Sequence, residues 1–187
     1  MRNIKFLTQD EIKRLLDIAK KHSLRDFLIL LLAYRHGLRA TEVGMLKVSD
    51  VDFDRGRIFI HREKNGISGE HPLANDEIRY LKRYLRSRKK KTDILFPSNR
   101  GTPITRYTLD KMFKKYGEEA EIPKDKRHFH TLRHSAGVHR IEAGMDILLV
   151  KDWLGHRNIQ NTVIYTYISN PLRDIAYQRV LTTGKVV

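Results

Sequence analysis

Apolar residues recur with a helical period almost from the start of the chain. Ile12, Leu15, Leu16 and Ala19 form one stripe, and Thr8 and Glu11 precede it at capping-box spacing. Residues 25–35 enclose the run FLILLLAY, apolar on every side, which predicts a buried helix. Gly37 follows, a residue suited to a left-handed helix end, and a short helix is expected over 41–46. The period then changes. RIFIHR over 57–62 alternates and is rich in β-formers, Asn65-Gly66 signals a turn, and His71-Pro72-Leu73 suits a returning strand. A hairpin or a three-stranded sheet is expected there. Helical patterning resumes with Asn75 as cap over 76–88, then over 106–119, 131–142, 146–154, 158–167 and 171–180, with Gly144 and Gly155 as punctuation and a loop over 97–103. The fold class is therefore mainly α with a small antiparallel β-sheet (α+β), in one domain.

Composition narrows what such a fold does. The chain has 187 residues with 37 Lys+Arg against 22 Asp+Glu, a formal charge of +15, which favours a polyanionic partner. A basic surface kept for solubility would give the same count, and charge does not separate DNA from RNA or an anionic membrane. The absence of cysteine excludes disulfides, thiolate chemistry and Cys-based zinc sites. The longest apolar run is too short to span a bilayer, and MRNIKFLTQDE has no signal-peptide core. A cytoplasmic, nucleoid-associated protein is expected.

Four local patterns carry candidate chemistry, each weak by itself. In GLRATE, Arg39 follows the helix-ending Gly37 and can point into a cleft, but taken alone a plain surface pair with Glu42 explains it better. Lys64 stands in EKNG at the hairpin turn, where most lysines are simply solvated but a mobile one can deliver a proton to a leaving oxygen. In HTLRH, His130 and Arg133 are three apart and share a helix face, so both can address one phosphate. Finally LGH places His156 nine residues before Tyr165, in a context where a tyrosine is usually packing. Two Arg, two His, one Lys and one Tyr together are what phosphoryl transfer needs without a metal.

The order and spacing of GLRATE, EKNG, HTLRH and LGHRNIQNTVIYTY resemble the tyrosine recombinase (phage integrase) family over nearly the whole chain. The resemblance implies that family's catalytic-domain fold and a DNA strand-exchange enzyme that needs no ATP, metal or other cofactor. It implies that Arg39 and Arg133 hold the nonbridging phosphate oxygens, Lys64 is the general acid, His130 assists proton transfer, His156 bonds the phosphate, Tyr165 forms a 3′-phosphotyrosyl link, and Glu42 supports Arg39. It also implies duplex DNA as partner and a tetramer in the synapse, with the segment 171–187 as a protomer-exchange element. The family's N-terminal core-binding domain is expected to be missing, and IHREKNGISGEHPL resembles the short fimbrial phase-variation invertases. The basic run 79–91, with Arg79, Lys82, Arg83, Arg86, Lys89 and Lys90, is either a solvated helix face or a phosphate-contacting one. A non-catalytic DNA-binding regulator and a type IB topoisomerase-like nicking-closing enzyme are the alternatives. A cleavage assay separates the first, and relaxation of plasmid without a target site the second.

The charge gives a direct expectation. Affinity for duplex DNA should fall steeply with salt, with a log–log slope of roughly −0.9 per phosphate neutralised. Titration at several salt concentrations measures that slope, and a flat line contradicts it.

Overall fold

The computed structural model describes residues 4–63, 65–89, 92–167, 177–178 and 181–182. Helix α1 spans Gln9–His22 and opens on the expected capping box, in which the Glu11 backbone N–H donates to Thr8 Oγ1 and the Thr8 N–H to Glu11 Oε2. Ser23 ends α1 and caps α2, Leu24–Arg35, whose Phe27–Ala33 stretch is buried without interruption. That helix is the centre of the core. Helices α1, α4 (Asn75–Ser87) and α6 (His130–Glu142) pack against it, and α5 (Arg106–Glu119) lies against α1 and against α3 (Ala40–Met45).

Gly37 takes positive φ, +59°, and a side chain there would collide with Leu154. The chain thus turns sharply into α3, Ala40–Met45. The strands β1 (Val51–Asp52), β2 (Arg57–Ile60) and β3 (Gly69–Pro72) form one antiparallel sheet in the order β1-β2-β3, with Ile58 opposite His71 and Ile60 opposite Gly69. The three-stranded alternative is the one realised. The strand expected over 57–62 stops at Ile60, because Arg62 leaves the ladder for a buried site of its own. Asn75 is the first residue of α4 rather than its cap. Ala74 holds that position, and Glu77 satisfies its N–H instead.

Helices α7, Ile147–Leu154, and α8, Gln160–Thr166, close a second, smaller apolar cluster with α6, made of Val138, Ile141, Val150, Leu154 and Tyr165. The helix expected over 158–167 starts two residues late, since Asn158 Oδ1 accepts the Gln160 N–H outside the helix. The helix expected over 171–180 lies outside the described residues, apart from 177–178. No described helix is long and apolar enough to cross a membrane.

Between the sheet, the α2 terminus and α7 sits a polar, aromatic cluster. His36 meets Glu77 and His71, and Trp153 stacks on His36 and lies against His71. Burial first, then His36, Arg62 and Arg140, push the His71 pKa down to about 2. An unfolded chain takes up a proton at this histidine below pH ~6.5, and the folded one does not. His71 therefore contributes stability that is complete above pH ~6.5 and declines as pH falls, by about 1.4 kcal/mol per pH unit. Urea unfolding at pH 7, 6 and 5 should show the decline, and it should be shallower by about one proton in His71→Gln.

Candidate active site

The site is organised around the Glu42 carboxylate, which is buried on the first turns of α3. Arg39 Nη1 donates to Glu42 Oε1 at 2.5 Å, Arg62 Nη1 donates to Oε2 at 2.8 Å, and Arg133 Nη1 lies 3.7 Å from the same oxygen. Burial pushes the Glu42 carboxyl up, but Arg62, the Arg39 backbone N–H, Arg133 and Arg39 outweigh it and hold the group below its ordinary value. Three guanidinium groups around one carboxylate leave a net positive pocket.

The three arginines differ in where they point. Arg39 lines a cleft of ≈ 550 Å³ together with Thr41, Glu63, Arg106, His128 and His130. Arg133 is 1% exposed on α6 and donates to the carbonyls of Gly37 and Leu154, at 2.6 Å each. Burial, followed by Arg39 and Arg62, lowers its pKa to about 9, so it stays charged at neutral pH. His130 begins α6 at the cleft mouth, one helical turn from Arg133. The residue as a whole is exposed, but atoms crowding its ring keep water off it and, with His134, Arg133, Arg39 and Arg106 nearby, lower its pKa to about 4.

His156 follows the left-handed Gly155 that ends α7. Its Nδ1 is paired with Thr162 Oγ1 at 2.9 Å, which fixes the ring, and burial followed by Arg133 and Arg39 lowers its pKa to about 3. Tyr165 is 2% exposed. Its ring rests on Gly137, where an added Cβ would stand 2.6 Å from Cε2, so α6 needs glycine at that point. Burial raises the Tyr165 pKa, against the pull of Arg133 and Arg39. Tyr167, by contrast, is exposed.

The structure thus gathers Arg39, Glu42, His130, Arg133, His156 and Tyr165 from α3, α6, α7 and α8. Lys64 and Lys90 lie outside the described residues. Arg79, Lys82, Arg83, Arg86 and Lys89 are all exposed, the first four on the outer face of α4, opposite its buried Glu77, Leu81 and Tyr84. None of them lines the cleft. Within the same basic run Arg88 is structural, donating to the carbonyls of Thr92 and Ile94.

Two residues without an assigned role enter the site. His134 Nδ1 is 3.2 Å from the Tyr165 hydroxyl, and its ring meets His130 edge-on. Burial and then Arg133 lower its pKa to about 4, so it is neutral at pH 7 and, in the tautomer that carries its proton on Nε2, accepts from the Tyr165 hydroxyl. Its signal in the sequence was its place four residues after His130, on the same helix face. Arg62 is the other. Its signal was the alternation of β2, in which Ile58, Ile60 and Arg62 share the buried side.

The chain is similar to known proteins over most of its length. The profile described as "Phage integrase family" matches residues 5–170. The chain is 39% identical over 167 residues to the type 1 fimbriae regulatory protein FimB of Escherichia coli K12, covering 86% of this chain and 83% of FimB. To FimE of the same strain it is 42% identical over 147 residues, with 76% and 74% covered. The crystal structure of XerA recombinase superposes with a TM-score of 0.79 at 31% identity, covering 93% of this chain and 62% of that one.

The Glu42 geometry sets a stability expectation. Glu42→Gln leaves buried Arg62 without its counter-charge and should cost about 3–5 kcal/mol. Equilibrium denaturation at pH 7 measures it, and a loss under about 1 kcal/mol, the scale of an exposed pair, contradicts the central place given to this carboxylate.

Proposed function

We propose, because the chain belongs to the phage integrase family of tyrosine recombinases, that this cleft cuts and rejoins duplex DNA with Tyr165 as nucleophile. The observation that carries the assignment is the pairing of Tyr165 with His134, one residue along α6 from Arg133 and behind the Arg39 cleft. A buried tyrosine bonded to a neutral imidazole beside two guanidinium groups has both a place for its proton and a place for the phosphate it attacks.

The reaction is a pair of transesterifications. Arg39 and Arg133 bind the nonbridging oxygens and stabilise the charge that gathers on the pentavalent phosphorus. His156, oriented by Thr162, adds a hydrogen bond to the same group. The Tyr165 oxygen forms the new bond to phosphorus, its proton passing to the histidine pair His130 and His134. The 5′-oxygen leaves as a hydroxyl with a proton from Lys64. A 5′-hydroxyl from the partner strand then attacks the 3′-phosphotyrosyl link and restores the tyrosine. Each step exchanges one phosphodiester for another, so no external energy source is required. Four copies acting on two duplexes, with inversion as the outcome, is the assembly we assign. For the outcome, inversion, the similarity to FimB and FimE is the support. Residues 4–167 act as one catalytic domain in the cytoplasm on the nucleoid, and the expected protomer-exchange element 171–187 lies outside the described residues apart from 177–178 and 181–182.

The two tyrosines provide the test. Tyr165→Phe removes one oxygen and should abolish the covalent protein–DNA adduct on a nicked substrate while DNA binding persists. Tyr167→Phe, altering an exposed side chain, should leave the adduct intact. Denaturing electrophoresis and mapping of the modified peptide read both. An adduct formed by Tyr165→Phe, or mapped to Tyr167, would falsify the assignment.

A further inference from the structure

Arg62 belongs to none of the motifs that mark the family, yet it touches more of the site's framework than any residue that does. Its side chain is 0% exposed. Nη1 donates to Glu42 Oε2 at 2.8 Å and to the Gly37 carbonyl at 3.2 Å, the same carbonyl that Arg133 uses. Nη2 donates to the carbonyls of His36 at 2.9 Å and Trp153 at 2.5 Å. One planar fork therefore ties the α2–α3 turn, the end of α7 and the strand that leads into the hairpin. A lysine, with three donors from a single point, cannot span these acceptors.

The hairpin is seated on the same spot by its backbone. The Ile67 N–H donates to the Gly155 carbonyl at 3.1 Å, immediately before His156. The Glu63 N–H points at Glu42 Oε1 at 3.4 Å, and the Arg62 N–H donates to Ser68 Oγ at 2.9 Å. There is no room to spare between the two segments. A Cβ on Gly66 would stand 2.8 Å from Arg62 Cβ and 3.0 Å from the Gly155 carbonyl oxygen. On Gly155 it would stand 2.7 Å from the Ile67 carbonyl oxygen and 2.8 Å from Arg62 Cγ.

We propose that Arg62 is a positioning residue for strand cleavage, whose guanidinium registers the hairpin of residues 60–69 against the arginine pocket and the His156 loop and thereby governs protonation of the leaving oxygen. Being fully enclosed, it acts through others and touches no DNA. The inference rests on the reading of Lys64, in that hairpin, as the general acid. Arg62 also explains why a net positive pocket tolerates Glu42. Paired with Arg62, the carboxylate holds Arg39 in place without neutralising it.

The experiment compares Arg62→Lys, Gly66→Ala and Lys64→Ala with the parent in single-turnover cleavage at saturating DNA, on normal duplex and on duplex with a 5′-bridging sulfur, which leaves without a proton. Thermal melting and DNA affinity are measured alongside. Gly66→Ala crowds both Arg62 Cβ and the Gly155 carbonyl while removing no buried charge, so it decides the matter if Arg62→Lys does not fold. The expected result is cooperative melting, parental DNA affinity, a loss of roughly 10²-fold on normal DNA in both variants, and recovery of most of that loss on the sulfur substrate. Parental rates on normal DNA in the folded variants, or equal losses on both substrates, overturn the proposal. If Lys64→Ala recovers on sulfur and the other two do not, the acid stands and only Arg62's role falls. If Lys64→Ala does not recover, the acid assignment falls and the proposal with it.

Discussion

A single buried carboxylate under three guanidinium groups is the constraint on which the site depends. Removing Glu42, Arg62 and Arg133 from water is costly, and the arrangement persists because each oxygen and most of the nitrogens are matched at short range. Those matches are long-range in sequence. They bring together the turn after α2, the strand β2 and helix α6, with the carbonyls that end α7 as further acceptors. The electrostatic core and the proposed catalytic framework are the same object. Loss of any one partner leaves an unpaired charge in the interior and loosens every element that carries a reacting group.

Around that core, the histidines and the tyrosine are held in protonation states that suit phosphoryl transfer on an anionic substrate. Burial and the arginines keep His130, His134 and His156 neutral before DNA arrives. A bound phosphate brings negative charge that opposes this bias, so the histidines become better proton acceptors when substrate is present. Tyr165 lies inside the small α6–α7–α8 cluster with its ring against Gly137, and its burial raises its pKa further above neutral pH.

Much of the fold could be read from periodicity. The apolar run of α2, the capping box of α1 and the left-handed Gly37 and Gly155 all depend on local chemistry, and all stand where expected. Errors fell at element ends, where side chains compete with backbone. Glu77 rather than Asn75 serves the start of α4, and Arg62 abandons β2 for a buried carboxylate 20 residues away. The motif residues could be singled out because phosphoryl transfer restricts residue types. Arg62 and His134 were harder to read, because strand alternation and the spacing from His130 can turn the two side chains inward but cannot name their partners, Glu42 and Tyr165, which tertiary packing sets.

The central claim is that Arg39 and Arg133, braced on Glu42, define one phosphate position that Tyr165 can reach. A crystal structure with nicked target DNA and vanadate tests it most directly, since vanadate adopts the trigonal-bipyramidal geometry of the transferring phosphoryl group. The account predicts vanadium bonded to the Tyr165 oxygen, with Arg39, Arg133 and His156 on its equatorial oxygens and Glu42 still bound to Arg39 and Arg62. Vanadium bonded to another residue, or Arg133 turned away with both guanidinium nitrogens committed to the Gly37 and Leu154 carbonyls alone, would contradict it.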